Sequence, residues 1–333
     1  MKKTRVGYIR LCDSAPLIVA RGLGYYVQES VRVELVPMKS WAELRDRLIV
    51  GNIQAAHCLA GIPLASQAGL FGPQSKLATA FTLNHFGNAI TLAAPLAQLL
   101  RSGTEQFVEY ARARRAKGRP LVLASVFPVS KHEYELRHWL AGLGLDPQTD
   151  MRLVVVPPPE TASALREGRI DGYCVGEPWN TRAILEGWGE AVATSAGSTL
   201  PGTEKVLALR EPLLETPEHA ALLRALTRAA DWLADANNAE AAIELLAPYV
   251  GRPLHELRAA LCGEFRARRD GVVHAAGAFM RFNREINRPN LGHGRWYLKQ
   301  MQAAGQVESS APTEEICARA FRCDVYDRLL RQS

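Results

Sequence analysis

Residues 31–51 of this 333-residue chain read VRVELVPMKSWAELRDRLIVG and contain a strand pattern followed by a helix pattern. Residues 31–36 alternate apolar and polar side chains, as a half-buried strand does. Ser40 and Glu43 form a capping box, in which a serine at the N-cap and a glutamate three residues later satisfy free backbone amides. A helix is therefore predicted over 41–50, ended by the glycine that follows.

The same order of strand and helix continues on both sides of this stretch. Strands are predicted at 6–9 and 55–59, with helices at 16–23 and 62–68. The pattern restarts with helices at 105–117, 131–143 and 161–167 and strands at 121–125, 153–156 and 172–175; from about 211 it is almost wholly helical, with one helix at 254–267. Alternation of this kind indicates an open α/β sheet, here formed twice.

No low-complexity linker separates the two α/β patterns, which predicts two lobes joined by direct crossings of the chain. Strand-like segments at 90–94 and 206–209 are predicted as the crossings. Lobe 1 would then be discontinuous, formed by residues 1–93 and 206–333, and lobe 2 would span residues 94–205.

Composition favours a globular protein that contacts neither membranes nor nucleic acid directly. Hydrophobic residues make up 47% and charged residues 22% of the chain, and no apolar run approaches the ~20 residues of a membrane helix. The net charge of +6 lies partly in basic segments such as 112–119, but no aromatic residues alternate with these to stack on bases. A modest positive charge favours the capture of anions.

The N-terminus and the cysteines bear on location and on metals. The basic start is not followed by the apolar segment of a signal peptide, since Arg10 and Asp13 fall where it should be. A cytoplasmic location is therefore expected, with a trimmed export signal as the alternative. The six cysteines form no C-x-x-C pair, so no zinc site is predicted. The sequence has no Gly-rich phosphate loop either, and neither a metal nor another cofactor is predicted.

Two predicted helix starts have the properties of anion-binding sites. Trp41 follows the N-cap Ser40, and His132 lies in the first turn after a second capping box that begins at Ser130. A helix N-terminus offers unpaired amides, and an indole or imidazole adds a hydrogen-bond donor. A capping box is also an ordinary helix start, and taken alone Trp41 is more often a core residue and His132 more often a surface or otherwise satisfied histidine. The residues by themselves therefore leave both interpretations open.

Several segments carry a resemblance to a known family. They are Ser40-Trp41, Ala55-Ala56-His57, Phe86-Gly87-Asn88, Lys131-His132-Glu133 and Tyr173-Cys174-Val175-Gly176-Glu177-Pro178-Trp179-Asn180. The chain resembles the nitrate- and bicarbonate-binding proteins of bacterial ABC importers, and among them the cytosolic nitrate/nitrite sensors of the NasS type. This resemblance implies a two-lobed, periplasmic-binding-protein-like α/β fold (type II) with a central ligand cleft.

The resemblance also implies a set of ligand-binding residues. They are Trp41, Asn88, His132, Gly176 and Lys205, with Glu177 and Trp179 shaping the cleft. Asn88 stands where the importer pattern more often has glutamine. Nitrate has acceptor oxygens and no proton to give, so its site should supply donors and few carboxylates. Lys205 falls where bicarbonate-binding relatives have an acidic residue and a calcium ion, which favours nitrate or nitrite.

By the same resemblance, the expected function is regulatory and not enzymatic. The chain would bind nitrate or nitrite and release an antiterminator protein with an RNA-binding (ANTAR-type) domain, which controls nitrate assimilation genes. One alternative is the substrate-binding subunit of an ABC importer for nitrate or a related anion or sulfonate. Another is an enzyme resembling the pyrimidine-precursor synthases on the same fold. The enzyme is disfavoured because no set of nucleophile, base and orienting group stands at a suitable spacing.

Overall fold

The computed structural model describes residues 3–73, 75–271 and 279–330, and the backbone of residues 273–275. The chain forms two compact units. Unit 1 consists of Met1–Phe86, Pro201–Gly251 and Met280–Ser333, and unit 2 of Gly87–Leu200 and Arg252–Phe279. Each unit has its own β-sheet covered by helices, which confirms the predicted α/β class. Residues 1–2 and 331–333, the ends of the predicted first lobe, lie outside the described residues.

Unit 1 is built on a six-stranded sheet in the order β13-β4-β10-β3-β1-β2. Its strands are β1 (Thr4–Ile9), β2 (Val33–Met38), β3 (Ala55–Leu59), β4 (Leu77–Phe86), β10 (Thr203–Arg210) and β13 (Met280–Arg281). Strand β1 pairs in parallel with β2 and β3, whereas β10 is antiparallel to β3 and β4. The carboxyl ends of β1, β2 and β3 and the beginning of β10 therefore meet at one edge.

Helices follow the strands of unit 1. They are α1 (Ala15–Gly22), α2 (Tyr25–Gln28), α3 (Trp41–Ile49), α4 (Gly61–Gln67), α10 (Pro217–Ala234), α11 (Ala239–Val250), α13 (Arg284–Asn287), α14 (Leu291–Ala303), α15 (Thr313–Ala320) and α16 (Cys323–Leu330). Helix α3 begins at the predicted capping box: the amide of Glu43 donates to Ser40 Oγ at 3.2 Å, and Glu43 Oε2 accepts from the amide of Lys39 at 2.8 Å.

Unit 2 is built on a five-stranded sheet in the order β7-β6-β8-β5-β9. Its strands are β5 (Asn88–Ala93), β6 (Leu121–Ser125), β7 (Met151–Val155), β8 (Gly172–Gly176) and β9 (Gly189–Thr194), with a separate pair β11 (Glu264–Arg266) and β12 (Val273–Ala275). Its helices are α5 (Ala94–Ser102), α6 (Thr104–Ala116), α7 (Lys131–Gly142), α8 (Pro158–Arg166), α9 (Trp179–Leu185) and α12 (Leu254–Leu261). Strand β6 runs parallel to β7 and β8, and β5 is antiparallel to β8 and β9.

The core of unit 2 shows why α7 forms where it does. Leu136 and Leu140, four residues apart, lie on one face of the helix and are fully buried. They belong to the same apolar cluster as Leu92 of β5, Leu123 of β6 and Phe107 of α6. This packing fixes the first turn of α7 at the carboxyl end of β6.

The boundaries of the two units differ from the prediction. The chain passes between them after Phe86 and after Leu200, not near 93 and 205. The reason is strand pairing, since β5 pairs with β8 and β9 of unit 2, whereas β10 pairs with β3 and β4 of unit 1. Lys205, predicted in the second lobe, therefore lies in unit 1.

The C-terminal region, predicted to be almost wholly helical from about residue 211, also contains strands. A single helix over 254–267 is wrong, because α12 ends at Leu261, Gly263 has a left-handed φ of 68° and β11 follows. Residues 252–279 belong to unit 2, where α12 packs against α9 and β11, and not to the lobe predicted for 206–333. Among the described residues, no helix combines the length and apolar character needed to cross a bilayer.

Candidate functional site

Four side chains with polar groups lie close together in unit 1, at the edge of the sheet where the parallel strands have their carboxyl ends. Asp13 lies in a short 3-10 helix after β1, and Trp41 is the first residue of α3 after β2. His57 lies on β3, and Lys205 lies near the beginning of β10, paired with Leu59 at the end of β3. The carboxyl edge of an open α/β sheet is where such folds bind ligands.

The ammonium group of Lys205 is held between two carboxylates. Its Nζ lies 2.8 Å from Asp13 Oδ2 and 2.7 Å from Glu204 Oε1, and all three side chains are almost completely buried. Burial by itself would lower the pKa of Lys205, but Asp13 and Glu204 raise it above its ordinary value. Burial would raise the pKa of Asp13, yet Lys205 and His57 hold it well below its usual range. Both groups are charged at neutral pH.

Trp41 and His57 lie beside this ion pair. The Lys205 Nζ is 5.5 Å from the centroid of the Trp41 ring, and the Trp41 and His57 rings are 5.5 Å apart. His57 Nε2 lies 2.9 Å from Asp13 Oδ1. Among the described residues, Trp41 Nε1 has no hydrogen-bond partner although the side chain is fully buried. An unpaired buried N–H is unfavourable, and a bound acceptor would satisfy it.

Unit 2 also has polar side chains at the edge of its sheet where the parallel strands have their carboxyl ends. The Ser130 Oγ accepts from the Glu133 amide at 3.1 Å and caps α7, so that His132 lies in the first turn, fully buried. Asn88, the first residue of the antiparallel strand β5, is paired with Gly176 at the end of β8. The predicted residues Asn88, His132 and Gly176 thus lie at the carboxyl ends of β6 and β8.

Glu135 is at the centre of the polar contacts in unit 2. Asn88 Nδ2 donates to Glu135 Oε2 at 2.9 Å, and Lys131 Nζ lies 3.3 Å from Glu135 Oε1. The Cys174 thiol donates to Glu135 Oε2 at 3.8 Å. The side-chain amide of Asn88 therefore supports a buried ion pair between Lys131 and Glu135.

The two predicted cleft-shaping residues lie in unit 2. Glu177 is fully buried, and its Oε2 accepts from the amide of Thr181 at 3.2 Å. Burial raises the pKa of Glu177 to about 7. Trp179 begins α9, and the guanidinium groups of Arg182 and Arg252 lie 5.8 and 5.9 Å from its ring centroid. That these residues shape a cleft stays a prediction.

The structure brings together only part of the predicted site within each unit. Trp41 and Lys205 meet in unit 1, whereas Asn88, His132 and Gly176 belong to unit 2. That they all contact one anion stays a prediction. Within the part of the chain that the structure describes, no cluster of three or more metal-ligating side chains occurs.

The carboxylates of these clusters depart from the sequence-based expectation. Few were expected, yet Asp13 and Glu204 flank Lys205, and Glu135 accepts from Asn88. The sequence did carry a signal for Asp13. This residue follows β1 and therefore lies at the same carboxyl edge of the sheet as Trp41. Glu135 stands four residues after Lys131 on the predicted helix 131–143, a spacing that favours an ion pair, whereas its contact with Asn88 depends on where β5 pairs.

Solved structures place this architecture in a class of proteins. The structure superposes on the periplasmic nitrate-binding protein NrtA from Synechocystis PCC 6803 with a TM-score of 0.91 and 25% identity, covering 99% of this chain and 88% of that one. The fold is shared with the alkanesulfonate-binding protein SsuA from Xanthomonas axonopodis pv. citri, at a TM-score of 0.67, 16% identity and 97% coverage of both chains. The class is that of substrate-binding proteins, not of enzymes, as predicted.

The sequence matches the model of the NMT1-like family over residues 1–247, and the chain belongs to this family. It is 32% identical to the nitrate import ATP-binding protein NrtC of Synechocystis sp., over 98% of this chain and 49% of NrtC. It is 28% identical to the nitrate/nitrite binding protein NrtA of Synechococcus elongatus, over 98% of this chain and 77% of NrtA. The resemblance to the nitrate and bicarbonate substrate-binding proteins is thereby confirmed. The chain spans about half the length of NrtC.

Proposed function

We propose that this chain binds nitrate or nitrite. The buried indole N–H of Trp41, which has no hydrogen-bond partner among the described residues, supports this proposal most directly, because a small anion beside Lys205 would accept from it. The names of the related NrtA proteins, which bind nitrate or nitrite, support the same ligand.

The energetics require several donors. A hydrogen bond to a charged group contributes roughly 1.5–3 kcal/mol, whereas association opposes binding by about 4 kcal/mol or more. Micromolar affinity corresponds to about 8 kcal/mol. Trp41 alone would not reach this value, so the proposal assigns further contacts to Lys205, His132, Asn88 and the Gly176 backbone.

Isothermal calorimetry with sodium nitrate, nitrite, bicarbonate, sulfate and methanesulfonate tests the proposal. We expect saturable binding of nitrate or nitrite that His132→Ala weakens at least tenfold. The matched control is His255→Ala, which replaces an exposed histidine and should leave affinity unchanged. Saturable binding of bicarbonate or a sulfonate without nitrate or nitrite binding would contradict the proposal, as would equal affinity in the two variants.

Nitrate or nitrite binding could serve two biological roles, one supported by the comparisons and the other by the sequence. The names of NrtC and NrtA support a substrate-binding part of a nitrate importer. The sequence resemblance to sensors supports a cytoplasmic protein that holds an ANTAR-type antiterminator until nitrate or nitrite binds. A ligand shifts such an equilibrium only if it binds one state more tightly.

Affinity capture from cells grown with and without nitrate distinguishes these uses. A sensor would retain an RNA-binding antiterminator without nitrate and release it when nitrate is added to the immobilised protein. An importer component would instead retain the membrane and ATP-binding subunits, and cell fractionation would find it outside the cytoplasm or at the membrane. Recovery of transporter subunits with no nitrate-released partner would rule out the sensor.

A further inference from the structure

A groove in unit 1 runs beside β2, at the edge of the six-stranded sheet. Its volume is about 600 Å³, and its lining combines basic and apolar side chains. Lys3, Arg21 and Arg32 supply positive charge, and all three are exposed. Val27, which is 79% exposed, and the half-buried Val33 supply apolar surface. The groove includes none of the residues assigned to nitrate binding.

The charges along this groove do not balance. Lys3 and Arg5 share one carboxylate, that of Glu34, whose Oε2 lies 3.1 Å from Lys3 Nζ and 3.7 Å from Arg5 Nε. Arg21 and Arg32 form no ion pair with any described residue. These four cations and one carboxylate leave an excess of positive charge. A basic groove of this kind attracts an acidic partner and selects against basic ones.

Three features of α2 and its surroundings bear on the kind of partner. Glu29 follows α2, but its carboxylate is held by Arg224 of α10 at 2.6 Å and does not offset the charge of the groove. Tyr26 is buried, and its hydroxyl donates to the Leu17 carbonyl at 3.2 Å, so it offers no exposed face on which a nucleic-acid base could stack. Helix α2 has four residues, too few for the extended apolar face of a lipid-binding helix. These features favour a protein partner.

Strand β2 offers backbone groups to the same groove. Among the described residues, β2 pairs with β1 alone and forms the edge of the sheet. The Thr4 amide donates to the Arg32 carbonyl at 2.8 Å, so the backbone of Arg32 faces β1 and that of Val33, the next residue, faces the groove. Arg21 Nη1 donates to the Val33 carbonyl at 3.4 Å, which agrees with this direction. An exposed edge of this kind can accept a further strand.

We propose that the groove binds an extended acidic segment of a partner protein, which adds to β2 as a further strand. The backbone of the segment would pair with Val33 and Leu35 and stop before Pro37, which has no N–H to donate. An N–H of the segment would replace Arg21 on the Val33 carbonyl, and the guanidinium would then bind a carboxylate of the segment. Apolar side chains that alternate with the acidic ones would pack on Val27.

Selection on the immobilised wild-type chain, from a display library of random peptides of about ten residues, tests the proposal. We expect enriched peptides in which Asp or Glu alternates with Val, Ile or Leu. In fluorescence polarisation, the affinity of an enriched peptide should fall about tenfold in the double variant Arg21→Glu/Arg32→Glu. The matched control is Lys117→Glu/Arg119→Glu, which makes the same change in net charge at exposed positions of unit 2 and should bind as the wild-type chain does.

N-methylation of the enriched peptide tests the strand pairing on the wild-type chain, and this test remains decisive if the double variant fails to fold. Methyl groups on every second amide block one edge of an extended peptide, so one of the two methylation registers should abolish binding and the other should retain it. Equal binding of the two registers would overturn the proposal. Enrichment of no acidic peptide would also overturn it, as would equal affinity in the two double variants, or binding of phosphatidylglycerol vesicles or a single-stranded oligonucleotide in place of the peptide.

Discussion

Lys205 and Asp13 form a buried ion pair, with Nζ and Oδ2 2.8 Å apart and both side chains withdrawn from solvent. Their positions follow from the sheet, since Asp13 lies past the end of β1 and Lys205 at the beginning of the antiparallel β10. Lys205 is therefore a structural countercharge as well as a candidate ligand, and a substitution at this position affects folding and binding together.

The first prediction concerns that structural role. Lys205→Met should lower the free energy of unfolding by about 3–5 kcal/mol, because it leaves Asp13 and Glu204 buried without their cation. Urea denaturation at pH 7 measures the change. Lys117→Met, at an exposed position, should alter stability by no more than about 0.5 kcal/mol.

A double substitution distinguishes a lost ion pair from a lost hydrocarbon chain. Asp13→Asn combined with Lys205→Met should destabilise the fold less than the sum of the two single changes, since one unpaired charge is removed with its partner. Strict additivity would show that the ion pair does not stabilise unit 1.

The second prediction concerns Trp41. Trp41→Phe retains an aromatic ring but removes the indole N–H, so nitrate affinity should fall about tenfold, the equivalent of one hydrogen bond to an anion. The smaller ring leaves space in a fully buried position and should lower stability by about 1–2 kcal/mol. Calorimetry and urea denaturation measure the two effects separately.

Trp232→Phe is the matched control for Trp41→Phe, because it makes the same change on α10, which contributes no residue to the cluster around Lys205. It should leave nitrate affinity unchanged. An equal loss of affinity in both variants would mean that the indole N–H of Trp41 does not contact the anion.

The third prediction uses the pKa of Glu177, which burial raises to about 7 from an ordinary value of 4.5. Between these values the folded chain binds more protons than the unfolded chain, so stability must fall as pH rises. The loss accumulates to about 3 kcal/mol between pH 4.5 and 7.5, since each pH unit between the two pKa values contributes about 1.4 kcal/mol. Urea denaturation across this range should show the slope in the wild-type chain.

Two variants test whether Glu177 causes this pH dependence of stability. Glu177→Gln does not titrate and should flatten the pH dependence of stability between pH 4.5 and 7.5. Glu160→Gln changes an exposed glutamate and should leave the slope as it is in the wild-type chain. The same slope in both variants would place the responsible group elsewhere.

The sequence predicts those parts of the fold in which one segment carries its own signal. The capping boxes at Ser40 and Ser130 predict the first residues of α3 and α7, because the N-cap contacts lie within four residues. Strand β4 was missed since its first eight residues are buried and show no alternation. The boundary between units was misplaced because strand partners decide it, and these are distant in sequence.

In the candidate site, too, local signals predict some residues, whereas contacts between distant segments were not predicted. Trp41 and His132 follow from local caps together with the family resemblance. The ion pair Lys205–Asp13 could not be predicted from the sequence, whereas Lys131–Glu135 has the i,i+4 spacing of a helical ion pair. The chemistry of nitrate had suggested a site of donors with few carboxylates. In the first pair the partners lie 192 residues apart in sequence and meet only because β10 crosses back beside β3.

The last prediction concerns Asn88, whose Nδ2 donates to Glu135 Oε2 at 2.9 Å. Asn88→Asp would place a second carboxylate beside Glu135, and two carboxylates at this distance share one proton instead of both ionising. Stability should therefore fall by about 2 kcal/mol or more from pH 5 to pH 8, measured by urea denaturation relative to the wild-type chain. Asn52→Asp, at an exposed position, should change little across this range. A pH profile for Asn88→Asp that parallels the control would show that the Asn88–Glu135 contact is absent in solution.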